Sequence, residues 1–148
     1  MKPFIALLFT FALTTPATVA HPSQDDSNVR PAVTRADIDI VKRAETILDS
    51  PAKWNRADNR ICPLTATTFS LYCALEKATD EVSGKFQHRG AAMQEARFVI
   101  DAIAPHARYP HRLMGYNNDP KTTFADIQRA LALLELDITK RVEAQSKH

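Results

Sequence analysis

Apolar residues recur along the chain with the spacing of amphipathic helices, most clearly near the C-terminus. Steps of three or four residues place these positions on one continuous helical face. At the start of this face, Thr123 and Asp126 have the spacing of a capping box, in which each side chain bonds to the other residue's backbone amide. The pattern predicts a long last helix that starts after Thr123. Its apolar face consists of Phe124, Ile127, Leu131, Leu134, Ile138 and Val142.

Three earlier segments are predicted to be helical for the same reason. The first follows a second capping box at Thr34 and Asp37 and ends before Pro51, since the residue before a proline disfavours the helical conformation. The second ends near Gly84, and the third ends before Pro105. The predicted limits are residues 34–50, about 65 or 68 to 82, and about 87 to 104.

The rest of the chain shows no sign of β-structure. No segment alternates apolar and polar residues in the manner of a half-buried strand, and only three glycines are available for tight turns. Residues 108–121 are predicted to be irregular because they combine prolines with a run of asparagine and aspartate. The predicted fold class is all-α, a compact domain of four to five helices over residues 34–143 with a frayed tail at 144–148.

The N-terminus predicts export. Lys2 is followed by an apolar run over residues 4–13 and by small residues before a cleavage site near Ala20. This order is typical of a secretory signal peptide, and the run is about half of the ~20 apolar residues that a membrane-spanning helix needs. We therefore expect a cleaved signal peptide over residues 1–20, a flexible leader over 21–33, no membrane span, and a secreted or periplasmic mature protein.

Charge and motifs argue against several classes of function. Removal of residues 1–20, which hold one basic and no acidic residue, leaves 18 Lys and Arg against 17 Asp and Glu. So nearly balanced a charge argues against the clustered basic face of a nucleic-acid-binding protein. The histidines form no metal-binding motif, no serine lies in a nucleophile elbow, and the glycines form no phosphate-binding loop. We assign no catalytic residue and expect no metal, cofactor or nucleic acid.

Cys62 and Cys73 are candidates for a disulfide. An even number of cysteines in an exported protein favours a bridge. Cys73 lies in the second predicted helix and Cys62 in the loop before it, and the connecting chain can span the distance if that helix starts near Thr68. A start at Thr65 would strain the closure. The alternative is two buried thiols that act as small apolar side chains.

The segment before the last helix carries most of the candidate binding residues. One interpretation of residues 109–120 is a recognition loop for a partner or a small polar ligand. The other is that its asparagines and aspartate cap and tie the chain before Pro120. For Trp54, a core anchor whose indole N–H bonds to backbone is the simpler interpretation. The candidate binding residues are Trp54, His111, Tyr116, Asn117, Asn118 and Asp119.

Several short motifs occur in an order that resembles a known family. A tryptophan, Trp54, follows the first helix, the motif YCAL at 72–75 opens the second, and YNND at 116–119 precedes a threonine-led last helix. Over about residues 38–138, the chain resembles an uncharacterised family of small helical bacterial and phage proteins. The resemblance implies a helical fold in which the cysteine helix pairs with the Asn-Asp loop. It implies no activity.

The chain departs from that family pattern in three ways, and two functions remain open. Glu76 stands where the pattern has glycine, Cys62 is an extra cysteine, and a signal peptide is unusual for such relatives. The leading hypothesis is a non-enzymatic, inhibitor- or immunity-like module that binds another extracytoplasmic protein. The alternative is a small extracytoplasmic hydrolase or small-ligand binder with a site near residues 116–119.

Overall fold

Five α-helices and no β-strand make up the part of the chain, residues 30–147, that the computed structural model describes. A short 3₁₀ turn over Pro51–Lys53 follows the first helix. The all-α fold class is therefore confirmed. The predicted signal peptide and residues 21–29 of the predicted leader lie outside the described residues. The helices are α1 (Arg35–Ile47), α2 (Leu71–Ser83), α3 (Ala91–Ile103), α4 (Arg112–Asn118) and α5 (Phe124–Gln145).

The apolar faces of the helices meet in one core. α1 packs against α2 and α5, and α3 packs against α5 and the short α4. Every helix buries its apolar stripe in this way, as amphipathic helices require. None of the helices in residues 30–147 is long and apolar enough to cross a membrane. The largest fully buried apolar side chains are Leu48, Leu71, Leu75, Met93, Ile100, Ile127, Leu131, Leu134 and Ile138.

Both predicted capping boxes form. At the start of α1, the amide and the hydroxyl of Thr34 each donate to Asp37 Oδ2 at 2.8 Å. Asp37 Oδ1 accepts from the amide of Ala92 at 3.0 Å, so one buried aspartate caps both α1 and α3. At the start of α5, Asp126 accepts from the amide and the hydroxyl of Thr123 at 2.9 and 2.6 Å. These bonds satisfy amides that a helix terminus otherwise leaves without partners.

α2 begins later than the sequence pattern predicts. It starts at Leu71 rather than at residue 65 or 68. The residues before it are in extended conformation, because the amide of Phe69 donates to the carbonyl of Lys53 at 2.7 Å. Ser70 then caps the helix, and its hydroxyl accepts from the amide of Cys73 at 3.1 Å. The late start also removes the strain that an early one would place on a bridge to Cys73.

α3 also begins late, at Ala91 rather than near residue 87. A turn precedes it, in which the amide of Gly90 donates to the carbonyl of Gln87 at 2.8 Å. Gly90 takes the N-cap position. The spacing of apolar residues predicts α3, but it does not show at which residue the helix begins.

The prediction that residues 108–121 are irregular is wrong at their centre, which forms α4. Glycine and paired asparagines have low helix propensity, and they hide this helix in the sequence pattern. Packing stabilises the helix despite this low propensity, because Leu113 and Tyr116 are buried. The Tyr109 side chain lies so close to Gly115 that a Cβ atom at position 115 would be 2.6 Å from it. Only glycine fits there without a shift of α4 or of the tyrosine.

Residues 30–33, which fall in the predicted leader, pack against the helices. Val33 is buried, and Arg30 Nη1 lies 3.4 Å from Glu95 Oε2. The Glu95 carboxylate is fully buried on α3 and also pairs with Arg141 of α5. Burial raises the pKa of Glu95, and the bond with Arg141 opposes that shift. The ion pairs of Glu95 hold the start of the described residues against α3 and α5.

Candidate functional site

Asn117 is the centre of a polar network that ties α4 to two other parts of the chain. Its side chain is fully buried. Asn117 Oδ1 accepts from the indole Nε1 of Trp54 at 2.8 Å and from the amide of Leu71 at 3.0 Å. Asn117 Nδ2 donates to the carbonyl of Asn55 at 3.0 Å and to Asn118 Oδ1 at 3.1 Å. Because an amide side chain has two N–H donors and two acceptor lone pairs, internal bonds saturate Asn117.

The next two residues are bonded in a similar way. Asn118 accepts from the amide of Asp58 and donates to the carbonyl of Asp58, both at 2.8 Å. Asp119 accepts from the amide of Lys121 at 2.8 Å and from the hydroxyl of Tyr109 at 2.7 Å. These two bonds lower the pKa of Asp119, the Lys121 amide most. Burial and the bond to Asp119 raise the pKa of Tyr109 to about 12. We call residues 117–119 and their bonding partners the Asn117 network.

Arg56 completes the Asn117 network, although no sequence pattern singles it out. Its Nη2 atom donates to the carbonyls of Asp119, Pro120 and Thr122 at 2.9 to 3.0 Å. Its guanidinium carbon lies 5.2 Å from the centroid of the Trp54 ring, within the range of a cation–π contact. One arginine therefore satisfies three carbonyls in the turn before α5. These partners lie 63 to 66 residues from Arg56, which is why local sequence carries no sign of the contact.

The structure brings four of the six candidate binding residues together and places the other two elsewhere. Trp54 joins residues 117–119, and its indole N–H bonds to a side chain rather than to backbone. Tyr116 is buried in the core, with its hydroxyl 3.4 Å from the carbonyl of Asp126. His111 lies at the opposite end of α4, where its Nδ1 atom is 3.3 Å from Nη1 of Arg60.

Cys62 and Cys73 form a disulfide, with sulfur atoms 2.03 Å apart and Cα atoms 5.4 Å apart. The pair is therefore the bridge that the sequence allows, not two separate thiols. It fastens residues 61–69, which we call the disulfide loop, to the first turn of α2. On this loop Leu64 is 97% exposed and Ile61 is 68% exposed. Large apolar side chains at such exposure contribute nothing to the core.

A groove open to solvent runs along α2 beside the disulfide loop, with an empty volume of about 610 Å³ when its open mouth is included. Glu76, Asp80 and Glu81 line it together with one base, Lys77, whose ammonium is 2.8 Å from the Glu81 carboxylate. Burial raises the pKa of Glu76. We call this concavity the acidic groove. Its remaining walls are Cys62, Pro63, Leu64, Phe69, Cys73 and Phe86.

A second concavity, the basic cleft, adjoins the acidic groove through Tyr72. The Tyr72 ring lines the cleft and meets Phe86 of the groove edge-on, with ring centroids 6.2 Å apart. Burial raises the pKa of Tyr72 to about 12. Within residues 30–147, no group of three or more His, Cys, Asp or Glu side chains could hold a metal ion. The polar residues that line the basic cleft are Arg60, Tyr72, His88, Arg97, His111 and Arg112.

Sequence reasoning singles out only His111 among the polar residues of the basic cleft. The others come from the loop before α2, from α2 itself, from the turn before α3, from the middle of α3, and from the first turn of α4. Because these segments are far apart in the chain, no local motif announces the cleft. Only the packing of the helices brings its cationic side chains together.

The model of one family of unknown function, DUF6197, matches residues 31–134. The chain belongs to this family. The DUF6197 match confirms the resemblance to an uncharacterised family, and it spans α1 to α4, the first half of α5, the Asn117 network and both concavities. Neither the curated proteins nor the solved structures include a significant match to the chain. Since DUF6197 carries no assigned activity, function has to be inferred from the surfaces of the domain.

Proposed function

We propose that the protein is an extracytoplasmic, non-enzymatic binding module that recognises another protein through the disulfide loop and the acidic groove. The observation that supports this most is the exposure of Leu64, 97%, and Ile61, 68%, on one loop that a disulfide holds. A single exposed leucine is common on protein surfaces. Two large apolar side chains on a short, fixed loop beside a partly apolar groove favour a contact surface. Inhibitor- and immunity-like modules are of this kind.

The disulfide loop is anchored at both ends in the absence of a partner. Its far end is paired through the amide of Phe69, which donates to the carbonyl of Lys53 at 2.7 Å, and the amide of Asn55, which donates to the carbonyl of Phe69 at 2.9 Å. The disulfide fixes the near end. A loop that is already ordered loses little conformational entropy on binding, so its apolar contacts contribute more fully to affinity.

The acidic groove indicates the chemistry of the partner. Its three carboxylates outnumber its one ammonium, and that ammonium, on Lys77, is bonded to Glu81. Glu76 is partly shielded from solvent. In such a position, a charge interacts more strongly with an opposite charge than it does in water. The partner segment that fits this groove carries an apolar side chain next to a lysine or arginine. The apolar side chain would lie between Leu64 and Phe86, and the cation near Glu76.

Two features support an extracytoplasmic location. Disulfides persist in oxidising compartments and are rare in the cytosol, and Cys62 and Cys73 form one. Residues 1–20 have the order of charge, apolar run and small residues of a signal peptide. A secreted or periplasmic protein is thus part of the proposal.

The alternative, a hydrolase or small-ligand binder near residues 116–119, gains no support from the geometry. A catalytic or ligand-binding side chain needs a polar atom available to the substrate. Asn117 is buried and saturated, and both carboxylate oxygens of Asp119 accept internal bonds. These internal bonds favour a structural role for Asn117 and Asp119.

Site-specific photo-crosslinking tests the proposed surface. A photoreactive phenylalanine analogue replaces Leu64 in one chain and Leu136 in another. Leu136 is 49% exposed but lies on α5, which packs against α1 and α3. We expect one discrete protein adduct in the extracytoplasmic fraction from position 64 and none from position 136. Equal adducts at both positions, or none at either, would contradict the proposal.

Two variants then check the chemistry of the contact. Leu64→Asp should leave stability within about 0.5 kcal/mol of the native value, because the site is exposed. In a pull-down, this variant should no longer capture the partner found by crosslinking. Glu76→Gln combined with Asp80→Asn should weaken that capture and make it less sensitive to salt. Full retention of capture by both variants would place the contact elsewhere.

A further inference from the structure

The disulfide lies where a reagent in solution can reach it. Cys62 and Cys73 both line the acidic groove, and both also line a second concavity, whose lining in residues 30–147 bears no charged side chain. Cys62 is half-buried and Cys73 is 7% exposed, so Cys62 is the more accessible of the two. A cysteine pair enclosed in the core would be inert towards thiols, whereas this pair borders solvent in two concavities.

The two sulfur atoms differ as leaving groups. Cys73 is the third residue of α2, and its amide donates to the hydroxyl of Ser70, the N-cap residue, at 3.1 Å. The first turn of α2 contains no acidic residue, and the first carboxylate on the helix is that of Glu76. The positive end of the helix dipole stabilises a thiolate in the first turn. Because the sulfur with the more stable thiolate leaves faster, exchange should proceed by attack on Cys62 and departure of Cys73.

The chain before α2 is held on both sides of Cys62 by contacts that do not involve the bridge. On one side, the backbone amide and carbonyl of Asp58 both bond to the Asn118 side chain at 2.8 Å. On the other side, the amide of Phe69 donates to the carbonyl of Lys53 at 2.7 Å. Opening the bridge loosens the chain between Asp58 and Phe69 but leaves both anchors in place. The two thiols stay close together, so the bridge can close again without unfolding of the domain.

We infer that the bridge is a reversible redox switch, and that Cys62 is the site at which an external dithiol attacks it. A thiolate of the dithiol bonds to Cys62 Sγ while the bond between the two Sγ atoms breaks, and Cys73 leaves as a thiolate that takes up a proton from water. The second thiolate of the dithiol then attacks its own partner sulfur in the mixed disulfide and releases the Cys62 thiolate, which is protonated in turn. Two electrons and two protons pass to the bridge, and the dithiol becomes a disulfide.

What the switch controls is the position of Leu64, and this step rests on the proposed function. Cys62 and Leu64 are walls of the acidic groove. Leu64 is 97% exposed on a turn in which the amide of Ala66 donates to the carbonyl of Pro63 at 3.0 Å. With the bridge open, the turn has no covalent tie to α2, and ordering it on a partner costs conformational entropy. The oxidised chain is therefore the binding form, and reduction weakens binding.

Reduction of the purified protein under native conditions tests the switch without any partner. Dithiothreitol is the probe, and free thiols are alkylated at intervals and counted by mass spectrometry. A bridge attacked in the folded protein is reduced at a rate that stays constant in urea below the unfolding transition. A bridge reached only by unfolding is reduced faster in proportion to the unfolded fraction, and that result would overturn the inference. With glutathione and rapid alkylation, the trapped mixed disulfide should lie on Cys62. Trapping mainly on Cys73 would contradict the assigned site of attack.

Limited proteolysis then shows what reduction does to the loop. Chymotrypsin should cleave the reduced chain after Leu64 at least about tenfold faster than the oxidised chain, with the helical circular dichroism unchanged. Cleavage after Leu136, 49% exposed on α5, is the internal control and should not change. Oxidised glutathione should restore resistance. Loss of the helical signal on reduction, or no faster cleavage after Leu64, would show that the bridge is not a switch. These results stand even if photo-crosslinking finds no partner, so the two proposals fail separately.

Discussion

The Asn117 network and the disulfide loop both involve the connection between α1 and α2, and they use their side chains in opposite ways. At the centre of the network, the Asn117 side chain is buried and makes four internal hydrogen bonds. In the disulfide loop, Leu64 is 97% exposed and packs against no core. A cluster of polar residues is thus no sign of a binding site when the hydrogen-bonding partners of its central side chain are internal. Apolar residues that the core leaves outside are the stronger indication.

Among substitutions that test this contrast, Asn117→Ala should cause the largest loss of stability. The change leaves the indole N–H of Trp54 and the amide of Leu71 without an acceptor in the interior. Each such buried donor costs about 1–3 kcal/mol, so we expect a loss of about 3 kcal/mol or more in the free energy of unfolding. Urea denaturation followed by the fluorescence of Trp54, the only tryptophan, measures it directly.

Asn59→Ala is the matched control for that measurement. Asn59 is exposed in the same connection, and its side chain makes one local bond, accepting from the amide of Ile61 at 3.0 Å. Its loss should change the free energy of unfolding by less than about 1 kcal/mol. Similar costs at both asparagines would mean that the network is no more structural than an ordinary turn, and the contrast with the disulfide loop would fail.

The second effect concerns the bridge. Cys62→Ala combined with Cys73→Ala opens a loop of sequence separation 11 and should lower the free energy of unfolding by roughly 2–3 kcal/mol in the chain-entropy model. The crosslink from position 64 should disappear as the loop loses its fixed conformation. Chemical reduction of the native chain is the control, because it opens the bridge without leaving a cavity. If the reduced protein keeps the crosslink in full, the disulfide loop binds without pre-organisation.

The sequence predicts the fold better than the candidate sites, and the helices and the Asn117 network show why. Spacing within a helix is local, so the apolar stripes and both capping boxes, at Thr34 and Thr123, could be predicted. The role of Asn117 could not be decided, because its partner Trp54 lies 63 residues away. The sequence pattern places the start of α2 too early for the same reason, since a pairing of Phe69 with Lys53 determines that start. The basic cleft depends wholly on contacts between separate helices.

The smallest expected change in stability concerns Glu81 in the acidic groove, and it tests whether the fold depends on the charge of that residue. Hydrogen bonds from Arg43 and Lys77 lower the pKa of Glu81 to about 2. A carboxylate whose pKa is lower in the folded than in the unfolded state stabilises the fold above its unfolded pKa and loses that contribution as the pH falls. Glu81→Gln should therefore cost less than about 1 kcal/mol at neutral pH, because the pair is exposed to solvent. The difference from the native chain should vanish between about pH 5 and about pH 2.

Urea midpoints of both chains across that pH range measure the effect, with Glu143→Gln, an exposed carboxylate near the end of α5, as the control. A loss at neutral pH as large as that of Asn117→Ala would show that the rim of the groove is a structural tie like the Asn117 network. A small loss that vanishes in acid would mean that the fold does not depend on the charge of Glu81. The groove could then exchange its internal ion pair for a partner's lysine or arginine at little cost to the domain, as a recognition surface requires.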